Sequence, residues 1–196
     1  MTTLIPKFDL KNGGSTPTGA INRTIYQKLS DTISVKDFGA VGDGTTDDTT
    51  AITNAIAYAV ANEQPTINFP SGNYLVTSTI VIDHNGVCLE GESSRVSGNS
   101  VTGGPINQAY GTRIKYTGTS AAIKVSRAAV TPVPPESTNF IENICIRNMQ
   151  INCTSAAQYG LHCIKPVGCI FENLTIVGIL DTTGAIGNSR NSCIRL

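Results

Sequence analysis

Residues 34–61 read SVKDFGAVGDGTTDDTTAITNAIAYAVA, and this stretch decides the fold. It predicts a strand, a glycine-rich turn and a short amphipathic helix. Asp47 or Asp48 is the expected N-cap, because a carboxylate there accepts from the orphan N–H groups of the first helical turn and suits the positive end of the dipole. Ala51, Ile52, Ala55, Ile56 and Ala59 recur at three- and four-residue spacing and form one apolar stripe. The helical period then stops. Short β-branched segments separated by turn residues take over. A lone helix ahead of many short strands fits a lid on the open end of a β-solenoid, which would otherwise expose apolar side chains and unpaired backbone groups.

Beyond the helix, strands are expected near Ile67–Phe69, Tyr74–Val76 and Thr79–Ile82, with Pro70-Ser71-Gly72 as a turn. The rest of the chain repeats imperfectly. Ile141-Glu142-Asn143-Ile144-Cys145-Ile146 matches Phe171-Glu172-Asn173-Leu174-Thr175-Ile176 at an offset of 30. A second series, Ile123-Lys124-Val125, Leu161-His162-Cys163 and Ile194-Arg195-Leu196, has offsets of 38 and 33. Alternation in each segment sends the apolar pair inward and the middle residue outward. In-phase repetition at one coil length distinguishes a β-helix from a sandwich of equally short strands. The segments 93–111 and 126–138 read as the longer loops.

Composition narrows the function classes. Charged residues make up 14% and the formal net charge is zero, which offers no large field for nucleic acid or an anionic membrane. No apolar run reaches the ~18 residues of a membrane helix. The start, MTTLIPKFDLKNGG, lacks the basic and apolar regions of a signal peptide, so synthesis in a cytoplasm is expected. Six cysteines lack zinc-site spacing and read as thiols acting as small hydrophobes. The glycine string places Val41 where a dinucleotide fingerprint needs glycine, so it reads as a structural turn.

Ser34 to Asp48 also resembles the opening signature of the pectate-lyase-like right-handed parallel β-helix of bacteriophage tailspikes. The preceding IPKFDLKNGG and TGAINRTIYQKLSD resemble the N-terminal region of such spikes, where they attach to the virion. The fold expected is therefore all-β: a right-handed parallel β-helix, pectin-lyase-like, with an N-terminal capping helix and an extended arm. Residues 1–33 would form the virion-attachment arm. Residues 34–196 would form the cap and first coils, incomplete at the C-terminus because Leu196 falls inside an expected strand.

The resemblance implies a tailspike or tail fibre protein, made in the bacterial host cytoplasm and carried on the virion. Such spikes are homotrimers that bind, and in many relatives cut, the polysaccharide of the host surface. The arm would meet a phage tail or baseplate protein through Ile5, Phe8, Ile21, Ile25, Tyr26 and Leu29. The alternative is a self-contained capsule or lipopolysaccharide depolymerase, either hydrolase or lyase. A cellular pectate-lyase-like enzyme is a third reading.

No residue constellation identifies an active site, and none calls for a cofactor or metal. Glu142 and Glu172 are the catalytic candidates, because equivalent places in neighbouring coils would stack at about 4.8 Å and glycoside hydrolysis needs paired carboxylates. The bland reading is Glu-Asn at a coil corner. Lys124, His162 and Arg195 would form an outward column able to hold an acidic glycan, or equally a solvated face. His84 reads as a turn residue. Asp43, Asp47 and Asp48 lack the order of a calcium loop and read as turn and cap residues.

Overall fold

A computed structural model of the chain describes residues 7–8, 23–24, 28–29, 31–94, 111–127, 140–153, 157, 159–178 and 194–195. The first two strands, β1 (Lys7–Phe8) and β2 (Arg23–Thr24), form a short antiparallel pair. The solenoid begins at β3 (Ile33–Ser34), followed by a 3-10 turn (Val35–Phe38), β4 (Asp43–Asp47) and helix α1 (Thr49–Ala61). The next coil is β5 (Thr66–Phe69), β6 (Gly72–Val76) and β7 (Ile80–Ile82). Then come β8 (Cys88–Gly91), β9 (Thr112–Tyr116) and β10 (Ala121–Val125). A further coil is β11 (Ile141–Glu142), β12 (Cys145–Cys153) and β13 (Tyr159–Cys163). The last described coil is β14 (Pro166–Val167), β15 (Ile170–Val177) and β16 (Ile194–Arg195). Among the described residues all pairing within the solenoid is parallel, and the fold is the expected right-handed parallel β-helix.

Register makes like stack on like. One inner column runs Ile33, Ile67, Leu89, Ile146 and Phe171. A second runs Tyr74, Ile114, Ile151 and Ile176. A third runs Ile80, Ile123 and Leu161, and the backbone of Ile194 continues the register beyond Leu161, so the second sequence series is in the expected phase. Most residues of these columns are fully buried, while Phe171 and Ile176 of the last coil are partly so. Each fully buried one contributes roughly 1.5–3 kcal/mol through burial of its apolar side chain. Strand β12 passes through a corner without a break, pairing by its first part with β8 and by its second with β9.

The corners require left-handed backbone. Gly86 (φ +79°), Asn143 (φ +58°) and Gly168 (φ +62°) fall at one corner in successive coils. Asn148 (φ +58°) and Asn173 (φ +49°) fall at the next, where Asn173 Nδ2 donates to Asn148 Oδ1 at 2.9 Å. Glycine and asparagine occupy this region at the least steric cost. Beside Asn148, a Cβ on Gly91 would lie 2.3 Å from the Asn148 carbonyl oxygen, so the coils approach there too closely for a side chain.

These corners correct the first sequence repeat. Ile146 pairs with Phe171 and Ile151 with Ile176, an offset of 25 rather than 30. The true match is Ile146-Arg147-Asn148-Met149-Gln150-Ile151 on Phe171-Glu172-Asn173-Leu174-Thr175-Ile176. Asn143 and Asn173 look alike in sequence because each turns a corner, but they turn different ones.

The start of the solenoid also differs in detail. Most of the expected first strand is the 3-10 turn. Ser34 Oγ accepts from Lys36 N and the Asp37 carboxylate from Ser34 N, closing a capping box. The glycine-rich string then runs into β4, which pairs with β6. Helix α1 takes the place in the leading coil that β7, β10 and β13 take in the next three. It packs on β3, β5 and β7 with Ala51, Ile52, Ala55, Ile56 and Ala59 buried, as a cap requires. Its C-terminus closes with Glu63 N donating to the Val60 carbonyl and Gln64 N to the Ala59 carbonyl, a pattern that puts Glu63 at φ +55°.

Two substitutions test this end of the molecule. Ile56→Asp buries an unpaired carboxylate under the cap and should lower the urea-unfolding free energy by more than about 4 kcal/mol. Glu63→Gly relieves the left-handed backbone and should raise it by roughly 0.5–1 kcal/mol.

Candidate functional site

With the inner faces committed to the core, chemistry is left to the outward columns. One runs Val81, Lys124 and His162 on the sheet of β7, β10, β13 and β16. Lys124 and His162 are partly exposed between buried inward neighbours, so both face outward. The Tyr159 and His162 rings lie 5.2 Å apart, inclined at 43°. The backbone of Arg195 is in register with His162, so the three expected positions line up along the sheet.

A second outward column runs Asn68, Glu90, Arg147 and Glu172. Arg147 Nη2 donates to Glu90 Oε2 at 2.9 Å, and this bond raises the guanidinium pKa further. Arg147 Nε is buried and makes no hydrogen bond. The Glu90–Arg147 pair escaped the sequence reading, because its members are remote from each other along the chain. The offset-25 repeat, which aligns Arg147 with Glu172, was the signal that could have found this column.

Glu142 and Glu172 are not brought together. Glu142 is opposite Val167, while Glu172 is opposite Arg147, and the two carboxylates belong to different corners. Both are exposed. The stacking on which a shared acid–base role rested is absent, because the repeat read from the sequence was out of register with the true one.

The acidic turn is built from the backbone outward. Asp43 accepts from Thr45 N, Thr46 N and the Thr46 hydroxyl, and the backbone N–H of Thr46 leads in holding its carboxyl well below the usual carboxylate range. Asp47 accepts from Thr49 N and from the hydroxyls of Thr49 and Thr77, and those hydroxyls, Thr49 first, depress its pKa. Of the two candidate caps, Asp48 holds the N-cap position without bonding the helix by its side chain; Asp47 bonds Thr49 N. Buried Asp48 instead reaches back, with Val41 N donating to one oxygen at 2.7 Å and Gly42 N to the other at 3.1 Å. Among the described residues no group of three or more His, Cys, Asp or Glu is placed to hold a metal ion. His84 lies in the turn after β7 and bonds the Asp83 carboxylate through Nδ1 at 2.6 Å.

The expected arm residues contribute little to this picture. Leu29 is 68% exposed. Ile5, Ile21, Ile25 and Tyr26 lie outside the described residues, as does the side chain of Phe8. The two loops expected at 93–111 and 126–138 fall largely outside them as well. Among the described residues no helix is long and apolar enough to cross a membrane.

Stacked parallel coils with a helical cap and polar outward columns define a pectate-lyase-like parallel β-helix. Residues 32–195 match the family described as rhamnogalacturonase A/epimerase, pectate lyase-like, and the chain belongs to it. The chain is similar to the solved structure of ORF18 of Geobacillus virus E2, with a TM-score of 0.54 and 26% identity over 74% of this chain and 25% of that one. It is 37% identical over 87 residues to plasmin and fibronectin-binding protein A of Streptococcus pneumoniae, which is 43% of this chain and 12% of that protein. The solved structure of PfbA, a surface adhesin of the same species, has a TM-score of 0.37 at 21% identity over 78% of this chain and 39% of that one, too loose a likeness to carry an argument. The chain thus spans a small part of these relatives.

The acidic turn predicts a pH dependence. A carboxylate whose folded pKa is depressed stabilises the fold above its unfolded value of about 3.9, and that contribution disappears as pH falls through the folded pKa. Asp47→Asn should therefore lower the urea midpoint at pH 7, and the gap between the two proteins should narrow as pH falls below about 4.

Proposed function

We propose that this chain is the N-terminal part of a virion-borne attachment protein of the tailspike type, which recognises a host surface polysaccharide. The observation that carries this reading is the likeness to the Geobacillus virus E2 protein over 74% of the chain. The sequence resemblance of residues 5–48 to tailspikes supports it independently. In this reading three copies of the chain assemble side by side. Residues 1–33, through Ile5, Phe8, Ile21, Ile25, Tyr26 and Leu29, dock to a tail or baseplate protein. Lys124, His162 and Arg195 supply cationic and hydrogen-bonding groups at one-strand intervals, a spacing suited to acidic sugars along an extended glycan.

Among the described residues no two carboxylates are opposite each other in adjacent coils, and Arg147 stands between Glu90 and Glu172, so binding rather than cleavage is the role proposed for this part of the protein. A second reading, adhesion to a protein ligand, is favoured by the stretch similar to the plasmin and fibronectin-binding protein.

The test uses the full chain. Deleting residues 1–33 should abolish incorporation into phage particles while the β-sheet circular dichroism signal remains. The purified chain should co-sediment with host capsule or lipopolysaccharide, and Lys124→Glu should weaken that binding at least tenfold without releasing oligosaccharide. Binding to immobilised fibronectin with no binding to polysaccharide would favour the adhesin reading instead.

A further inference from the structure

Cys88 and Cys145 are remote from each other along the chain and directly opposite each other in neighbouring coils. They share the outward column Thr66, Cys88, Cys145 and Ile170, on the face turned away from the Leu89–Ile146 stack. Opposite residues of a parallel ladder have Cα atoms about 4.8 Å apart. A disulfide accepts Cα separations of roughly 4.4–6.8 Å. In-register positions also send their side chains to the same face. Both residues are thiols and both are half-buried. Among the described residues no other two cysteines are register partners.

We propose that Cys88 and Cys145 are a dithiol that an oxidising medium converts to a disulfide, stapling the coil of β8 to the coil of β12. The oxidant required is a low-molecular-weight disulfide. One cysteine attacks it as thiolate and forms a mixed disulfide, releasing half of the reagent as a thiol. The second cysteine displaces the other half. Two S–H bonds and the reagent's S–S bond are lost. One protein S–S bond and two reagent S–H bonds form, so two electrons and two protons pass to the reagent.

Burial, with the adjoining thiol second, pushes Cys88 up to about 12. The pair is therefore slow at neutral pH and faster in alkali, since only a thiolate attacks. The neighbours decide why this pair reacts and others do not. Cys163, also pushed up to about 12 by burial, sits opposite Val125, and Cys153 sits opposite Tyr116. Closing a loop this long removes freedom chiefly from the unfolded chain. On the virion reading above, a particle assembled in a reducing cytoplasm and used outside the cell would pass from the dithiol to the stapled state. The geometry of the pair does not rest on that reading.

The test is direct. The full chain, purified under reductant, is incubated overnight with oxidised glutathione at about pH 8.5, where more thiolate is present than at neutral pH, then blocked with N-ethylmaleimide and mapped by mass spectrometry. The expected product is a Cys88–Cys145 linked peptide, with a melting temperature raised by ~5–10 °C and restored by dithiothreitol. Cys88→Ser should abolish both effects, and Cys163→Ser should leave both intact. Separate glutathione or maleimide adducts on Cys88 and Cys145, a link to a different cysteine, or a link without a rise in melting temperature would each overturn the proposal.

Discussion

Two corners per coil hold this solenoid in phase, and the rest of the structure depends on them. Side chains along a strand alternate between core and solvent, so a one-residue slip at a corner would turn a whole strand inside out. Gly86, Asn143 and Gly168 at one corner, and Asn148 and Asn173 at the next, fix where the later coils bend by adopting backbone that few residues tolerate. The Asn173 to Asn148 side-chain bond ties one bend to the bend beneath it. From that phase follow both the inner columns of Ile, Leu and Phe and the outer columns of charge.

The leading end is held by equally few groups. Helix α1 covers the first coil with five buried residues that have no charge to neutralise and little volume to misplace. What fastens it is Asp48, whose carboxylate takes the N–H groups of Val41 and Gly42. One buried residue thus holds the turn before the helix by its carboxylate and the first turn of the helix by its carbonyl, which accepts from Ile52 N, satisfying groups that burial would otherwise leave costly. Structure is held by the corners and the cap, which leaves the outward sheet faces chemically unconstrained.

That division explains what was legible in the sequence. The helix stripe and the triplets around Lys124 and His162 were legible because apolar spacing alone determines them. The coil register around Glu142 and Glu172 was not. Glu142-Asn143 and Glu172-Asn173 each put a left-handed Asn after an exposed Glu, so the motif marked two corners and looked like one. The N-cap was half legible, since two adjacent aspartates divide between them the work expected of either. The Glu90–Arg147 contact was invisible, because its partners are brought together only by a coil whose length no local pattern discloses. Lys124 and His162 do share an outer column, yet nothing local distinguishes a ligand face from a solvated one.

Ile67 stacks on Leu89 and Leu89 stacks on Ile146, yet the second step takes more than twice the length of chain of the first, and the register is unbroken. Coil circumference is therefore not a fixed quantity of the architecture. Chain can be gained or lost between corners without moving a single core contact. Over evolutionary time such a molecule can diversify its periphery by insertion and deletion, a far faster route to new recognition than residue-by-residue change, while its scaffold stays under no new selection.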